Sequence, residues 1–303
     1  MLLEHRFTGC LVGIAVGDAL GAPVEEIPNR PTTVQRPVRE MIGGGWLALA
    51  PGQITDDTEM SLCIARSIVE NKTFDPADIA QRFVAWFEDS SIGTGRTIRA
   101  AMKQLKNGIY WNKAGYTDVG LHSKGNGSVM RCAPVALYDY KKIDLLIRDT
   151  YDQSRITHPS AECMDSAVFV NFLIKYVLEG KEKNKAYDCA LMCIKHHPSL
   201  YNQYRAIPTL QEKKLAGAVR DTVETAVHSF LTTTDFETAI LTAVNMGGDA
   251  DTRGAIIGAL AGAYYGENTI PERWKTKLVD RHKKPLYEEL RTLSRELYVL
   301  AQR

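Results

Sequence analysis

Apolar side chains recur three and four positions apart along nearly the whole chain, and alternating strand-like runs are scarce. That is the period of an α-helix, so the pattern predicts an all-α fold. Residues 75–89 are representative: Asp75 can cap, Pro76 suits the first helical position, and Ile79, Phe83, Trp86 and Phe87 form one apolar stripe. Similar patterns cover 56–70, 94–106, 160–179 ending at Gly180, and 183–196. A further helix is expected to open with Thr234-Asp235-Phe236-Glu237 as a capping box and to run toward Asn245. Segments 27–54 and 107–127, rich in Gly, Pro and Asn, read as loops, and long loops in compact domains often carry function.

Two helices stand apart because one face is built of small residues. One lies within GAIIGALAGAYYG, where Gly258, Ala259, Ala261, Gly262 and Ala263 allow close approach of a neighbour. The other is the first helix, with Gly13, Gly17 and Gly21. Both are expected at the centre of a bundle. No segment reads as a linker, internal repeat or low-complexity tract, so residues 1–303 are expected to form one domain.

Hydrophobic residues make up 45% and charged residues 24% of the chain, enough apolar material for a substantial core. A formal net charge of +1 excludes a generally basic surface, and no stable nucleic-acid partner is expected. Glu4 and Asp18 flank the N-terminal apolar run, which lacks a basic leader, and no stretch reads as a transmembrane segment. Six cysteines, mostly within apolar helical patterns, are expected to be reduced and buried in a cytoplasmic protein. Cys189 and Cys193 with His196 and His197 have spacing that could suggest zinc, but a helix packing small thiols and ending in histidines before Pro198 accounts for them better.

The chemistry concentrates in two acidic clusters almost two hundred residues apart, Thr55-Asp56-Asp57-Thr58 and Asp249-Ala250-Asp251-Thr252. Carboxylates and hydroxyls form an oxygen-only ligand set suited to magnesium or manganese rather than zinc. Adjacent carboxylates project in different directions, so Asp56 and Asp57 could serve two ions about 3.5–4 Å apart. Asp249 and Asp251 can converge only where the backbone departs from a regular helix, and Gly247 and Gly248 supply that freedom. Each cluster could alternatively cap a helix, but each packs ligand-type residues more densely than a cap requires. Weaker signals are Asp18 and Glu25 after the first helix, the donor-rich turn Gly125-Asn126-Gly127-Ser128, His158 between Thr157 and Pro159, and the Gly43-Gly44-Gly45-Trp46 turn, whose aromatic could stack on a base or pack on the core.

Taken together, GIAVGDALGAPVE, GGGWLALAPGQITDDTEMSL, GNGSVMRCAPVAL, SRITHPS and AVNMGGDADTRGAIIGALAGAYYG resemble the ADP-ribosylglycohydrolases. The likeness is to the bacterial branch typified by the enzyme acting on dinitrogen reductase, and it runs in order from about residue 7 to residue 275. It implies a single-domain orthogonal helical bundle whose central cleft holds a dinuclear site of two divalent cations, Mg2+ or Mn2+, and binds ADP-ribose. Thr55, Asp56, Asp57, Asp249, Asp251 and Thr252 would be metal ligands, and Glu25 would sit beside the metal pair and the ribose. Gly125, Asn126, Gly127 and Ser128 would hold the diphosphate or ribose, and His158 would contact the nucleotide.

The implied partner is an ADP-ribosylated protein, dinitrogen reductase among the candidates, with ADP-ribose as product. Cleavage at the anomeric carbon passes through an oxocarbenium-like state, and Glu25, Asp56 and Asp251 are the catalytic candidates, Glu25 or an aspartate taking the proton of the attacking water. One departure bears on linkage: the nitrogenase-directed members carry an acidic residue two positions before Gly-Asn-Gly, where this chain has Ser123, and relatives acting on serine-linked ADP-ribose look more like this sequence at that point. Hydrolysis of serine-linked conjugates and non-catalytic ADP-ribose binding are the alternatives within the family. Outside it, the DADT string also matches the aspartyl-phosphate motif of haloacid-dehalogenase-like phosphatases, which must follow a strand.

Overall fold

The computed structural model describes residues 2–26, 37–90, 93–211 and 214–303. Among these the chain forms α1 (Leu3–Gly21), α2 (Asp56–Asn71), α3 (Pro76–Ser90), α4 (Arg96–Lys106), α5 (Trp111–Ala114), α6 (Asp118–Leu121), α7 (Ala133–Asp139) and α8 (Ile143–Arg155). It continues with α9 (Ala161–Leu178), α10 (Lys183–Met192), α11 (Pro198–Tyr204), α12 (Val219–Thr232), α13 (Phe236–Val244), α14 (Ala250–Tyr265), α15 (Glu272–Lys275) and α16 (Tyr287–Ala301). Extended pairing among the described residues is confined to isolated bridges such as Gln53 with Val279. The fold is all-helical, as the periodicity predicts.

The centre is an antiparallel pair, α1 against α14, made by glycines four residues apart on each helix. A Cβ added at Gly13 would lie 2.1 Å from the Gly258 carbonyl oxygen, one at Gly17 1.8 Å from that of Gly254, and one at Gly262 1.9 Å from that of Gly9. Only hydrogen fits at these positions, so the two backbones touch and the C-terminal end of α1 meets the N-terminal end of α14. Both helices are apolar all round because each is packed on every side. The span Leu3–Val24 has the length and composition of a membrane-crossing helix, with hydropathy 1.6, but it lies buried in the bundle core.

Several boundaries differ from expectation for identifiable reasons. Asp75 caps α3 as read, its Oδ1 accepting from the N–H groups of Ala77 at 2.9 Å and Asp78 at 3.2 Å. The next capping signal is displaced by one residue: Asp235, with extended backbone, is the cap of α13 and accepts from the Thr238 N–H at 2.8 Å, leaving Thr234 outside. The helix expected over 183–196 ends at Met192; beyond it Cys193, Ile194 and Lys195 tighten into turns whose N–H groups bond the carbonyls three residues back, and before Pro198 His197 leaves helical geometry altogether at φ −110°, ψ 82°. The segment 107–127 is not a plain loop, since α5 and α6 occupy part of it. Of the expected loop 27–54, residues 27–36 lie outside the described residues.

All six cysteines are free, four of them buried and Cys189 and Cys193 half-buried. The spacing that could suggest zinc has another use: His196 Nε2 lies 3.1 Å and His197 Nδ1 2.8 Å from the Asp165 carboxylate, while the Cys193 thiol donates to the Cys189 carbonyl.

A buried carboxyl pair yields a stability prediction. Neither oxygen of Asp139, at the end of α7, meets a hydrogen-bond donor, and the Asp149 carboxylate of α8, itself held by Arg148, lies beside it. Burial first, and then Asp149, push the Asp139 pKa up to about 8. An aspartate in the unfolded chain titrates near 3.8, so between these values the native state binds the extra proton and stability falls as pH rises, levelling above about 8. Asp139→Asn keeps a donor toward Asp149 without a charge to lose. It is expected to be more stable than the wild type by on the order of 1–3 kcal/mol at alkaline pH, a difference that shrinks toward about pH 5 in denaturant titrations.

Candidate metal centre

The α1–α14 pairing fixes where the chemistry assembles. Beyond its C-terminal end, α1 is followed by the short turn Ala22–Val24 and then Glu25. At the other side Gly247 and Gly248 adopt φ of +72° and +66°, which carries Asp249 out of helical geometry just before α14 and leaves Asp251 in its first turn. Asp249 and Asp251 therefore converge, as the glycine pair suggested. Glu25, Asp249 and Asp251 each place a carboxylate oxygen within 4.8 Å of the others.

The first cluster joins them from α2. Thr55 precedes that helix in extended geometry but its side chain caps nothing. Its hydroxyl instead donates to Asp18 Oδ1 at 2.7 Å and lies 3.3 Å from Asp57 Oδ2. Asp57 is 1% exposed, and Thr252 lies beside its carboxyl, which brings the two clusters together. Asp56 is half-buried. No side-chain cap forms at Asp249 either. Capping thus fails as an explanation for both clusters.

Electrostatics single out this group. Burial raises Glu25 to about 7, with Asp249 and Asp18 adding to the rise and a hydrogen bond from Trp46 opposing it. Asp251 lies well above the usual carboxylate range through burial first and then Glu25, Asp57 and Asp249; Asp57 does so through burial, Asp18, Asp56 and Asp249; and Asp56 through burial and then Asp18. Arg253, on the same helix as Asp251, directs its guanidinium to Thr225 Oγ1 and to the carbonyls of Ala243 and Gly247. Among the described residues no cation pairs with these carboxylates, and Asp57 Oδ1 is buried without any hydrogen-bond partner. Clustered carboxylates without a counter-charge and an orphaned buried oxygen are what a hard divalent cation would satisfy.

The remaining candidates surround the cluster. Asn126 donates to Asp249 Oδ2 at 2.5 Å and to Thr222 Oγ1 at 3.0 Å, so the Gly125–Ser128 turn is anchored to the second acidic cluster. The N–H groups of Asn126, Gly127 and Ser128 have no hydrogen-bond partner among the described residues, and the buried Ser128 hydroxyl has none either. His158 is 2% exposed and packs beneath this turn: a Cβ at Gly127 would lie 2.7 Å from its Cε1. Thr157 Oγ1, accepting from Arg131 at 2.9 Å, sits 2.7 Å from His158 Nδ1. Burial, with Arg131 next, pushes the histidine down to about 3, so it is neutral. Ser123, two residues before the turn, lies with its hydroxyl 3.0 Å from Thr97 Oγ1 and accepts from the Gly125 N–H at 3.2 Å.

Two participants carried only weak signals in the sequence. Asp18, 0% exposed, receives hydrogen bonds from both ends of the Thr55–Thr58 string, and Trp46 Nε1 donates to Glu25 Oε2 at 2.5 Å. Small-residue flanks mark Asp18, and the three left-handed glycines before Trp46 mark a fixed turn, but the partners lie far along the chain.

Comparison with known proteins gives a consistent picture. The family model described as ADP-ribosylglycohydrolase matches residues 1–303. The ADP-ribosyl-[dinitrogen reductase] glycohydrolase of Rhodospirillum rubrum is 38% identical, covering 91% of this chain and 91% of its own. The ADP-ribosylarginine hydrolase Tri1 of Serratia proteamaculans is 34% identical over 97% of this chain and 79% of its own. A solved structure titled ADP-ribosylglycohydrolase-related protein complex superposes with a TM-score of 0.82 at 34% identity, covering 99% of each chain.

Proposed function

The chain belongs to the ADP-ribosylglycohydrolase family, whose members hydrolyse glycosidic bonds, and from that premise we propose that it removes ADP-ribose from arginine side chains of modified proteins. The observation that carries the reading is the convergence of Glu25, Asp249 and Asp251 beside Asp57, whose buried Oδ1 lacks a partner. The arginine linkage is supported by the Serratia relative, named an ADP-ribosylarginine hydrolase. Dinitrogen reductase, named in the Rhodospirillum relative, is one candidate target.

Thr55, Asp56, Asp57, Asp249, Asp251 and Thr252 would hold two divalent cations, Mg2+ or Mn2+. Bound there, the cations supply positive charge and Lewis acidity close to the ribose hydroxyls and the water that attacks. The protein's own groups do the rest. Glu25, with a pKa near 7 and one carboxylate oxygen held by Trp46, is suited to take the proton of that water. Asn126 fixes Asp249 so that the second cluster keeps its shape. The N–H groups of Asn126, Gly127 and Ser128, without partners among the described residues, are suited to the diphosphate. His158, neutral and buried, packs against Gly127 and supports the turn.

A second reading has one observation in its favour. Ser123 offers a hydroxyl, already engaged, where the nitrogenase-directed enzymes place an acid, and serine-linked conjugates are then the substrate. Release of ADP-ribose from arginine-modified and serine-modified peptides, followed by chromatography with Mn2+, with Mg2+ and with chelator, separates the two. Release from the arginine peptide that ceases with chelator is expected. Release from the serine peptide alone selects the second reading, and tight ADP-ribose binding without release from either overturns the enzymatic one.

A further inference from the structure

We propose that Asp18 is a positioning residue that orients the Thr55 hydroxyl as an oxygen donor to the metal centre, acting from α1 upon the start of α2. The proposal rests on the reading of Thr55 as a cation ligand.

An ordinary threonine at the start of a helix turns its oxygen back to accept from the N–H three residues on. Here that N–H, of Thr58, donates to Asp18 Oδ2 at 3.1 Å, and the Thr55 N–H donates to the same carboxylate at 3.0 Å. Asp18 therefore takes over the cap from another helix and releases Thr55 Oγ1 from that duty. The Thr55 hydroxyl then has a single proton to place, and its shortest contact is the 2.7 Å bond to Asp18 Oδ1. Its lone pairs are left on the side of Asp57 Oδ2, 3.3 Å away, within the ligand cluster. The Thr58 hydroxyl donates to Asp18 Oδ2 at 2.5 Å and locks the second oxygen.

Capping alone does not require this arrangement. One oxygen and one N–H would suffice, whereas Asp18 is a fully buried carboxylate in an apolar helix packed on every side and engages two amides and two hydroxyls. Burial of such a group is costly unless all its partners are in place, so the set is rigid. Groups that orient ligands from behind in this way are typically worth 10- to 100-fold in metal affinity.

The test is a double-mutant cycle on the full chain, with Mn2+ affinity measured by titration calorimetry and folding followed by circular dichroism in chelator. Asp18→Asn and Thr55→Val are each expected to weaken Mn2+ binding by roughly 10- to 100-fold, and the double variant to bind no more weakly than the weaker single one. Excess Mn2+ is expected to restore kcat in Asp18→Asn, which a general loosening of the fold would not allow. Thr58→Val, near-isosteric and outside the ligand set, removes one anchor of Asp18 and is expected to weaken binding by roughly three- to tenfold, which keeps the test open if Asp18→Asn does not fold. Wild-type affinity in Asp18→Asn or in Thr58→Val, or losses that multiply in the double variant, overturns the positioning role alone. Absence of Mn2+ binding by the wild-type protein overturns the metal reading on which it stands.

Discussion

Asp251→Asn is expected to lower kcat/KM by on the order of 10^3-fold or more while leaving the fold intact. Asp251 is 5% exposed in the first turn of α14, and its carboxylate shares a space of 4.8 Å with those of Glu25 and Asp249. Asparagine preserves its volume and keeps an oxygen to accept the 2.8 Å bond from the Thr252 N–H, so the helix start has no reason to fray. What is removed is one negative charge from a site that gathers such charges with no cation paired to them among the described residues. The two consequences have opposite signs. The loaded site loses a ligand and turnover collapses, whereas the chelated protein is relieved of repulsion among buried carboxylates and is expected to unfold at the same or higher urea concentration than the wild type. Steady-state rates with Mn2+ and urea titrations with chelator measure the two separately. Wild-type turnover in Asp251→Asn would sink the metal assignment, and a large loss of chelated stability would make the residue structural.

Residue type made the candidate ligand groups legible in the sequence, and distance along the chain hid their supports. Two strings of aspartate and threonine advertise oxygen ligands whatever the fold, and Gly247 and Gly248 announce the bend that lets Asp249 and Asp251 meet. Asp18 read only as a weak signal, and its partners are Thr55 and Thr58 at the start of α2, 37 and 40 residues along the chain. Trp46 read as an aromatic surface, yet its polar edge is what matters, because it fixes one oxygen of Glu25. The supporting contacts of His158 and Arg131 likewise depend on tertiary proximity. Short helices such as α5 and α6 were invisible for a different reason: a single turn gives the hydrophobic period nothing to repeat over. The phosphatase reading fails on context, because the Asp249–Thr252 string follows helix α13 rather than a strand.

Gly258→Ala is expected to destabilise the protein by about 3 kcal/mol or more, against the direction that helix propensity predicts. In the interior of an ordinary helix the same change stabilises by roughly 0.5–1 kcal/mol, since alanine loses less backbone freedom on folding than glycine. Here the added Cβ would stand 1.9 Å from the Gly13 carbonyl oxygen, and the obstacle is backbone, which cannot rotate aside as a side chain does. Accommodation requires α1 and α14 to part, and the neighbouring contacts at Gly17–Gly254 and Gly9–Gly262 would open with them. Against a typical total of 5–15 kcal/mol the loss is large enough to be read directly as a shift in the urea midpoint. A functional signature accompanies it, because one end of the same helix pair carries both Asp18, near the end of α1, and Asp251, at the start of α14. The fraction that remains folded is therefore expected to bind Mn2+ more weakly than wild type, even though Gly258 lies two turns of helix from Asp251. A Gly258→Ala protein with raised stability would show that the two backbones do not meet as described, and with that the geometric basis of the site would fall.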